Sequence, residues 1–408
     1  MTDSIRHIIE TPSRIEPARL EVVGEEINNR IAELSTASTN LGARLHPRTA
    51  ASLADVVRVM NCYYSNLIEG HQTLPRDIER ALAGELAEAG KPRNLQVEAV
   101  AHIKVQREID RLHAENALPD PASIEFVCWL HREFYHDAPA AMLQIAHKDR
   151  TLVMEPGVFR NLPEHEVQVG RHIPPSSIRV NDFMAYFAQR YNFTPLRQGS
   201  RILAMATAHH RFNYIHPFLD GNGRVSRLMS HAMAQMAGIG AHGLWSISRG
   251  LARGLKSRDE YKTMMDHADL PRQGDLDGRG NLSQQALETF TAWFLDICLD
   301  QVSYMQRLFD IEHLAGRLHL YVQKSASRPG EPLRLEAARI LDEVFLRGEM
   351  ARGAAARVSG LGERLARDVL GALLRDGILG SNTPKGPVFL CFPVHAVEVL
   401  FPQLYPVS

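Results

Sequence analysis

The sequence predicts a mostly α-helical protein that carries one small β-hairpin and ends in a winged helix-turn-helix. Apolar residues recur at helical spacing through most of the chain, as in residues 51–69. The pattern breaks at a Gly- and Pro-rich stretch, 150–177, whose alternating run EVQV predicts a hairpin over about 152–175. Three short helical patterns and two strand-like runs close the chain and predict the winged helix.

The composition is that of an ordinary globular protein. The chain has 408 residues, of which 45% are hydrophobic and 23% are charged, and its formal net charge is −1. This balance points neither to a nucleic-acid binder nor to a protein of anionic membrane surfaces. The sequence shows no signal-peptide pattern and no long apolar run, and its four cysteines lie far apart. We therefore expect a cytoplasmic protein that does not bind membranes and has two or three domains.

Helices are predicted in order along the first half of the chain. The pattern over 51–69 stops at Gly70, because glycine readily adopts the left-handed conformation that ends a helix. Apolar periodicity predicts further helices at 96–114, 122–136, 180–192 and 199–213.

The second half of the chain is predicted to be helical until its last thirty or so residues. Residues 283–323 repeat apolar positions three and four apart, which predicts one long helix or two abutting helices. The polar stretch QKSASRPGEP, 323–332, has the composition of a linker. The predicted winged helix consists of helices at 335–347, 351–358 and 361–376 and of two strands within 377–393.

A winged helix raises the alternative that the protein is a DNA-binding regulator. The recognition helix would be 362–376, with Arg364, Arg367 and Arg375 facing DNA. Residues 331–408, however, contain nine Lys or Arg and nine Asp or Glu, so the segment has no net charge. Because DNA binding depends on neutralising phosphates, we favour a protein-contact or dimerisation module.

The stretch IHPFLDGNGRVSRL, 215–228, concentrates groups that bind phosphate. Gly221, Asn222 and Gly223 all adopt positive φ at low cost, so their N–H groups can form an anion-binding nest. Apolar residues at helical spacing follow directly, which places the nest at the start of a helix, where the helix dipole also favours an anion. Arg224 and Arg227, three residues apart, lie on one face of that helix.

Two further side chains of this stretch supply the remaining chemistry. Asp220 is placed where a carboxylate can hold a magnesium ion that bridges phosphate oxygens. His216 precedes a proline, which keeps it out of the helix, and its side chain can accept a proton near neutral pH. A base, a metal ligand, a phosphate cradle and two arginines are the parts of a phosphate-transfer site.

HPFLDGNGRVSR resembles the signature of the Fic domain family, whose members mostly transfer AMP from ATP to a protein hydroxyl. The upstream stretch ATAHHRFNYIHPF resembles the family's preceding helix. The resemblance implies a Fic-type helical core in which His216 deprotonates a Ser, Thr or Tyr hydroxyl and Asp220 binds Mg²⁺. It assigns ATP binding to Gly221, Asn222, Gly223, Arg224, Val225, Ser226 and Arg227, with the Asn222 side chain and the two arginines on the phosphates.

The segment SNLIEG, 65–70, resembles the inhibitory motif that some members of this family carry N-terminal to the core. Ser65 and Glu69 lie on one helical face, and Gly70 ends the helix. The resemblance implies that Glu69 forms a bidentate pair with Arg227, in the place that the γ-phosphate needs. A surface glutamate in the last helical turn is the alternative. Some inhibited members also remove AMP, and the sequence leaves that activity open.

Two more regions are assigned by the same resemblance. The predicted hairpin resembles the family's flap, on which an extended target segment docks by strand addition through Val167, Gln168, Val169 and Gly170. The segment 244–266 resembles the region near the adenine, and Tyr261 is its predicted base contact. The neighbouring His209 and His210 are expected to be structural rather than metal ligands, because no ligand spacing accompanies them.

The sequence therefore predicts a protein adenylyltransferase restrained by Glu69, with ATP, Mg²⁺ and a hydroxyl-bearing protein as its partners. The predicted division is an N-terminal helical region 1–114, a catalytic core 115–275, linking helices 276–328 and a winged-helix domain 329–408. A second copy of the chain is a further candidate, as target or as partner in a homodimer. A Fic enzyme that transfers another phosphate-containing group and a DNA-binding regulator are the alternatives.

Overall fold

A computed structural model describes residues 10–88, 90–147, 150–328 and 332–405. The predicted mostly helical class is confirmed, since helices form most of the described chain and two small antiparallel sheets complete it. None of the described helices is long and apolar enough to span a lipid bilayer.

The N-terminal third is helical throughout. Its helices are α1 (Glu25–Asn40), α2 (Pro47–Ile68), α3 (Pro75–Leu82), α4 (Gly90–Ala114) and α5 (Ile124–Tyr135). The predicted helix over 51–69 is α2, and it begins earlier because Pro47 has the φ that a first helical residue requires. It ends as predicted, with Glu69 as its C-cap residue and Gly70 at φ +78°.

The middle of the chain builds the core around two buried helices. It comprises β1 (Gln144–His147), β2 (Arg150–Val153), α6 (Val180–Arg190), α7 (Gln198–Ile215), α8 (Asn222–Met236), α9 (Ile247–Arg253), α10 (Glu260–Ala268), α11 (Gln284–Leu308) and α12 (Ile311–Ala326). Helices α7 and α8 carry buried residues around most of their circumference, so other helices enclose both of them. The predicted helical stretch over 283–323 is the abutting pair α11 and α12, and α12 takes up the first part of the expected linker.

The predicted hairpin over 152–175 is wrong in its position. The paired strands are β1 and β2, with Gln144 opposite Val153, and within 152–175 only an isolated bridge joins Val169 to His172. The run EVQV, 166–169, forms no strand. Side chains instead bind backbone groups of the residues that follow it: Glu166 accepts from the Ser177 N–H, and Arg160 donates to the Pro175 carbonyl. We refer to residues 154–177 as the 154–177 loop.

The C-terminal elements are α13 (Ala337–Arg347), β3 (Glu349–Met350), α14 (Ala355–Ser359), α15 (Glu363–Asp376), β4 (Leu379–Gly380), β5 (Val388–Leu390) and α16 (Val394–Leu400). The strands form an antiparallel sheet in the order β3-β5-β4. The three expected helices and two expected strands are present, and β3 and α16 add to them. The assignment as a winged helix stays a prediction from this order of elements.

The C-terminal elements pack against α2. The buried Tyr64 hydroxyl donates to the Leu404 carbonyl over 3.0 Å, and the Thr49 hydroxyl donates to the Phe345 carbonyl over 2.9 Å. Arg48 stacks on Phe389 with 3.8 Å between its guanidinium carbon and the ring centroid. The helix that carries Ser65 and Glu69 is therefore held along its length by the last part of the chain.

Candidate active site

The loop between α7 and α8 brings the residues of the motif together. His216 follows the last residue of α7 with φ 51° and ψ 62°, a left-handed conformation that turns the chain away from the helix axis. Phe218 is fully buried and anchors the loop in the core. Gly221, with φ 83°, precedes α8. Residues 216–221 thus connect the carboxyl end of one buried helix to the amino end of the next.

The amino end of α8 has no side-chain cap. Its N-cap residue is Gly221, and the first N–H groups of a helix have no hydrogen-bond partners within it. Only Gly221 of the expected nest is left-handed, because Asn222 and Gly223 already belong to the helix. The predicted phosphate cradle is therefore a helix N-terminus entered through one left-handed glycine.

Three motif residues expected in the ATP site are engaged elsewhere. The Asn222 side chain donates to the Phe218 carbonyl and accepts from the Phe218 N–H, each over 2.9 Å, so it braces the loop instead of lying free for a phosphate. Val225 and Ser226 are fully buried. The Val225 N–H and the Ser226 hydroxyl are hydrogen-bonded within the α8 turn, so neither offers a free donor to a nucleotide.

Asp220 is the most exposed member of a network of charges whose other residues are buried. Its Oδ2 accepts from Arg224 Nη2 over 2.7 Å and from the Tyr135 hydroxyl over 2.9 Å. Arg224 also donates to Glu98 Oε1 over 2.9 Å. Burial would raise the pKa of Asp220, but the charge of Arg224 and these hydrogen bonds hold it below its ordinary value. Asp220 is thus an ionised carboxylate beside the uncapped end of α8.

Arg227 is covered by the end of α2. Its Nε donates to the Ser65 hydroxyl over 2.9 Å, and its Nη2 donates to Glu69 Oε1 over 2.6 Å and to the Ser65 carbonyl over 3.2 Å. The expected bidentate pair is wrong, because Glu69 uses one oxygen and Ser65 takes the second position on the guanidinium. Burial would raise the pKa of Glu69, yet the charges of Arg227 and Arg224 keep it lowered.

Glu69 also lies over the amino end of α8. A Cβ atom placed on Gly223 would stand 2.4 Å from Glu69 Oε1, so the carboxylate is in close contact with the first turn of the helix. The side chain is 31% exposed and so stands at the mouth of the site. The carboxylate therefore occupies the position in which the helix dipole and Arg227 together favour an anion.

His216 is held in its neutral form by its surroundings. Burial and then the positive charges of Arg160 and His172 lower the pKa of His216 to about 4. A hydrogen bond to the backbone of Asn213 and the charge of Asp220 oppose this effect without reversing it. A neutral imidazole has an unprotonated ring nitrogen, which is the form that accepts a proton.

The 154–177 loop supports the connection between α7 and α8 from one side. Arg160 is 1% exposed and donates to the carbonyl oxygens of Ile215 over 3.0 Å and His216 over 2.7 Å. The expected docking residues Val167, Gln168, Val169 and Gly170 belong to this loop. Gln168 and Gly170 are exposed, and the Gln168 side chain donates to the Gly170 carbonyl. The structure thus places them on a bridged turn instead of a strand.

Tyr261 lies on α10, contacts His209 of α7, and is close enough to Arg227 and Glu69 for their charges to act on its hydroxyl. Its hydroxyl is 2.8 Å from His209 Nε2, and the other nitrogen of that ring is 2.9 Å from the Ser230 hydroxyl. Burial raises the pKa of Tyr261 to about 12, so the phenol remains protonated. His209 and His210 are buried and hydrogen-bonded, as expected of structural histidines.

Sequence reasoning missed four residues of the site. Glu98 and Tyr135 belong to α4 and α5 and reach Arg224 and Asp220 across the core. His131 holds the backbone carbonyl of Asp220, and its ring stacks on Phe218 at 3.9 Å between centroids. Arg160 of the 154–177 loop is the fourth residue that sequence reasoning missed. An acidic or basic residue on the apolar face of a predicted helix is a signal that could have found Glu98, whereas Arg160 lies in a loop and gives none.

The comparisons with known proteins agree with this geometry. Residues 121–234 match the model of the Fic/DOC family. The protein adenylyltransferase Fic of Drosophila erecta is 36% identical over 85 residues, which are 21% of this chain and 17% of that protein. The Aedes aegypti protein of the same name is 37% identical over 91 residues, 21% of this chain and 16% of that protein. The matched part therefore spans less than a fifth of these curated relatives.

Two solved structures match this chain over longer stretches. A Fic family protein from Desulfovibrio desulfuricans matches with a TM-score of 0.48 and 18% identity, over 91% of this chain and 98% of that one. A Fic domain containing signaling protein from Bacteroides thetaiotaomicron matches with a TM-score of 0.49 and 17% identity, over 69% of this chain and 97% of that one.

The part of the chain that matches the Fic/DOC family model includes α5, the 154–177 loop, α7 and most of α8. Within it, a histidine follows the carboxyl end of α7, and a short loop leads from it to the uncapped amino end of α8.

Proposed function

We propose that this protein is a Mg²⁺-dependent protein adenylyltransferase that Glu69 inhibits. The observation that carries the proposal is the placement of Glu69 on Arg227 and over the amino end of α8, because a carboxylate there stands where a phosphate would be bound. His216, with its lowered pKa, begins the same loop. The names of the curated relatives support the same reaction.

The reaction follows from the roles of these groups. His216 takes the proton of a Ser, Thr or Tyr hydroxyl, and the resulting oxygen attacks the α-phosphorus of ATP. A new oxygen–phosphorus bond forms as the bond between the α-phosphorus and its bridging oxygen breaks, so AMP is attached and pyrophosphate leaves. The N–H groups of α8, with Arg224 and Arg227, bind the phosphates and stabilise the charge that develops on the leaving group.

Asp220 fits the requirements of a magnesium site. Tyr135 and Arg224 both donate to Oδ2 of this carboxylate. An ion bound by Asp220 would complete its shell with phosphate oxygens and water. A magnesium ion held there would neutralise phosphate charge and orient the triphosphate.

Labelled ATP distinguishes AMP transfer from the alternatives. With the Glu69→Gly variant, label on the α-phosphate should be retained on protein and label on the γ-phosphate should not. Chelation of Mg²⁺ should abolish the signal, because the triphosphate then lacks its counter-ion. Retention of γ-label would instead indicate phosphate transfer. No retention of either label, in a variant that binds ATP and is folded, would count against a transferase.

The lowered pKa of His216 predicts the pH dependence of this reaction. The base must be neutral, and its folded pKa of about 4 keeps it so well below neutral pH. Transfer by the Glu69→Gly variant should therefore fall only as the pH drops through about 4, whereas an ordinary histidine would lose its base form near pH 6.5. Initial rates at saturating nucleotide measure this loss of activity at low pH. A midpoint near pH 6.5 would contradict the assignment of His216 as the base.

For the C-terminal elements we propose a protein-contact role and not DNA binding. Two observations favour it. Their contacts with α2 include the buried hydrogen bond from Tyr64 to Leu404, so part of their surface already serves an intramolecular interface. Residues 331–408 also carry no net charge, which is unfavourable for phosphate-backbone binding.

A further inference from the structure

His172 connects three parts of the structure around the loop between α7 and α8. Its ring Nε2 lies 2.7 Å from the carbonyl oxygen of Tyr214, in the last turn of α7. Its Nδ1 lies 2.8 Å from Oδ2 of Asp269, the residue that follows α10. Its backbone exchanges two hydrogen bonds with Val169 in the 154–177 loop. Since Tyr214 is two residues before His216, one side chain joins the loop, α10 and the backbone that leads into the base.

Both partners of the His172 ring are hydrogen-bond acceptors. A carbonyl oxygen and a carboxylate oxygen cannot donate, so both contacts are hydrogen bonds only when both ring nitrogens carry protons and the ring is positively charged. His210 contacts the same carboxylate, but only one of its ring nitrogens donates a hydrogen bond. Its Nδ1 accepts from Arg211 Nη1 over 2.8 Å, so only its Nε2 donates, over 3.0 Å, to Asp269 Oδ1. The contacts thus pair Asp269 with one cationic and one neutral imidazole.

The carboxyl end of α7 favours cations. The last carbonyl oxygens of a helix lack partners within it and carry the negative end of the helix dipole. Arg160 donates to the carbonyls of Ile215 and His216, and His172 donates to that of Tyr214. Two cations of the 154–177 loop therefore cap three consecutive carbonyls. Both charges oppose protonation of the His216 ring.

We propose that doubly protonated His172 is a positioning residue for His216: it fixes the end of α7 against the 154–177 loop and, by its charge, keeps the base unprotonated. Its role as a helper of the base rests on the proposed function. The effects of His172 on the placement and the charge of the His216 ring do not depend on that function. Besides Asp269 and His210, the charged and titratable groups that face this side chain are Tyr214 on α7 and Arg14, which donates to the Tyr214 hydroxyl and the Ile173 carbonyl.

Histidine NMR tests the charge effect without any assay of activity. The ring signals of His216 are identified by their loss in His216→Ala and are titrated in the wild type and in His172→Gln, which keeps a donor for Tyr214 but carries no charge. We expect the His216 midpoint to rise by about half a pH unit or more, because a nearby positive charge is removed. The matched control is His136→Gln, which breaks a surface pair with Asp137 at 3.0 Å and should leave the midpoint unchanged.

A measurement on the unmodified protein covers the case in which His172→Gln does not fold. Because both ring nitrogens of His172 face acceptors, nitrogen-15 NMR of the folded wild type should show both of them protonated. An unmoved His216 midpoint in a folded His172→Gln protein would overturn the proposal. So would a His172 ring with one unprotonated nitrogen.

Kinetics of AMP transfer add a readout of position. In the Glu69→Gly background, His172→Gln should lower kcat about tenfold or more, since a small misplacement of a base is costly, while the KM for ATP stays unchanged. A rise in the KM for ATP with kcat preserved would contradict positioning of the base. If the NMR result holds and Glu69→Gly transfers nothing, the proposed function fails and the electrostatic role of His172 stands.

Discussion

Glu69→Gly is expected to raise the rate of AMP transfer about 10- to 100-fold over the wild type. Glu69 Oε1 is 2.6 Å from Arg227 Nη2 and covers the first turn of α8, so a phosphate must displace it. A charge-assisted hydrogen bond contributes about 1.5–3 kcal/mol, and 1.4 kcal/mol corresponds to roughly a factor of ten in rate. Incorporation of α-labelled ATP, measured at equal protein concentration, gives the ratio directly.

The design of this experiment separates inhibition from a change in stability. Glu69 is a C-cap residue with φ −79° and ψ 3°, a conformation that glycine adopts without strain. Glu69→Gln keeps the size of the side chain and removes its charge, so its rate should lie between those of the wild type and Glu69→Gly. Glu115→Gly removes a surface partner of Arg111 at the end of α4 and serves as the control. Equal rates for Glu69→Gly, Glu115→Gly and the wild type would contradict inhibition by Glu69.

The helices and the loop between α7 and α8 could be predicted because their signals are local. The spacing of apolar residues located α2 and α7 to within a few residues, and the dozen positions around Gly221 contain most of the residues proposed to bind phosphate. The contact between Glu69 and Arg227, 158 positions apart, has no local signal, and only the resemblance indicated it. Sequence analysis missed Glu98 for the same reason, since this residue contacts Arg224, which is 126 positions away.

The 154–177 loop shows why a local pattern can fail. The alternation in EVQV favours a strand when the backbone groups pair with another strand. Here the side chains of Arg160 and Glu166 bind backbone groups of the same loop, and Arg160 also binds the end of α7. Which side chains bind a loop's backbone depends on the tertiary fold, so the sequence pattern alone predicted strands in the wrong place.

His216→Ala is expected to reduce AMP transfer in the Glu69→Gly background about 10²- to 10⁴-fold, the usual contribution of a general base. ATP binding should be retained, because Arg224, Arg227 and the amino end of α8 remain in place. Isothermal titration with MgATP measures binding, and α-label incorporation measures transfer. Loss of binding together with transfer would place His216 in the nucleotide site instead of at the attacking hydroxyl.

The backbone at position 216 requires a second variant. His216 has φ 51°, a left-handed conformation in which histidine and asparagine are enriched several-fold, so the Ala variant loses some stability as well as its base. Asparagine tolerates this conformation and cannot act as a base near neutral pH, so His216→Asn should keep the thermal midpoint closer to the wild type while transfer stays equally low. Activity that recovers in His216→Asn along with stability would show that position 216 serves the backbone turn and not proton transfer.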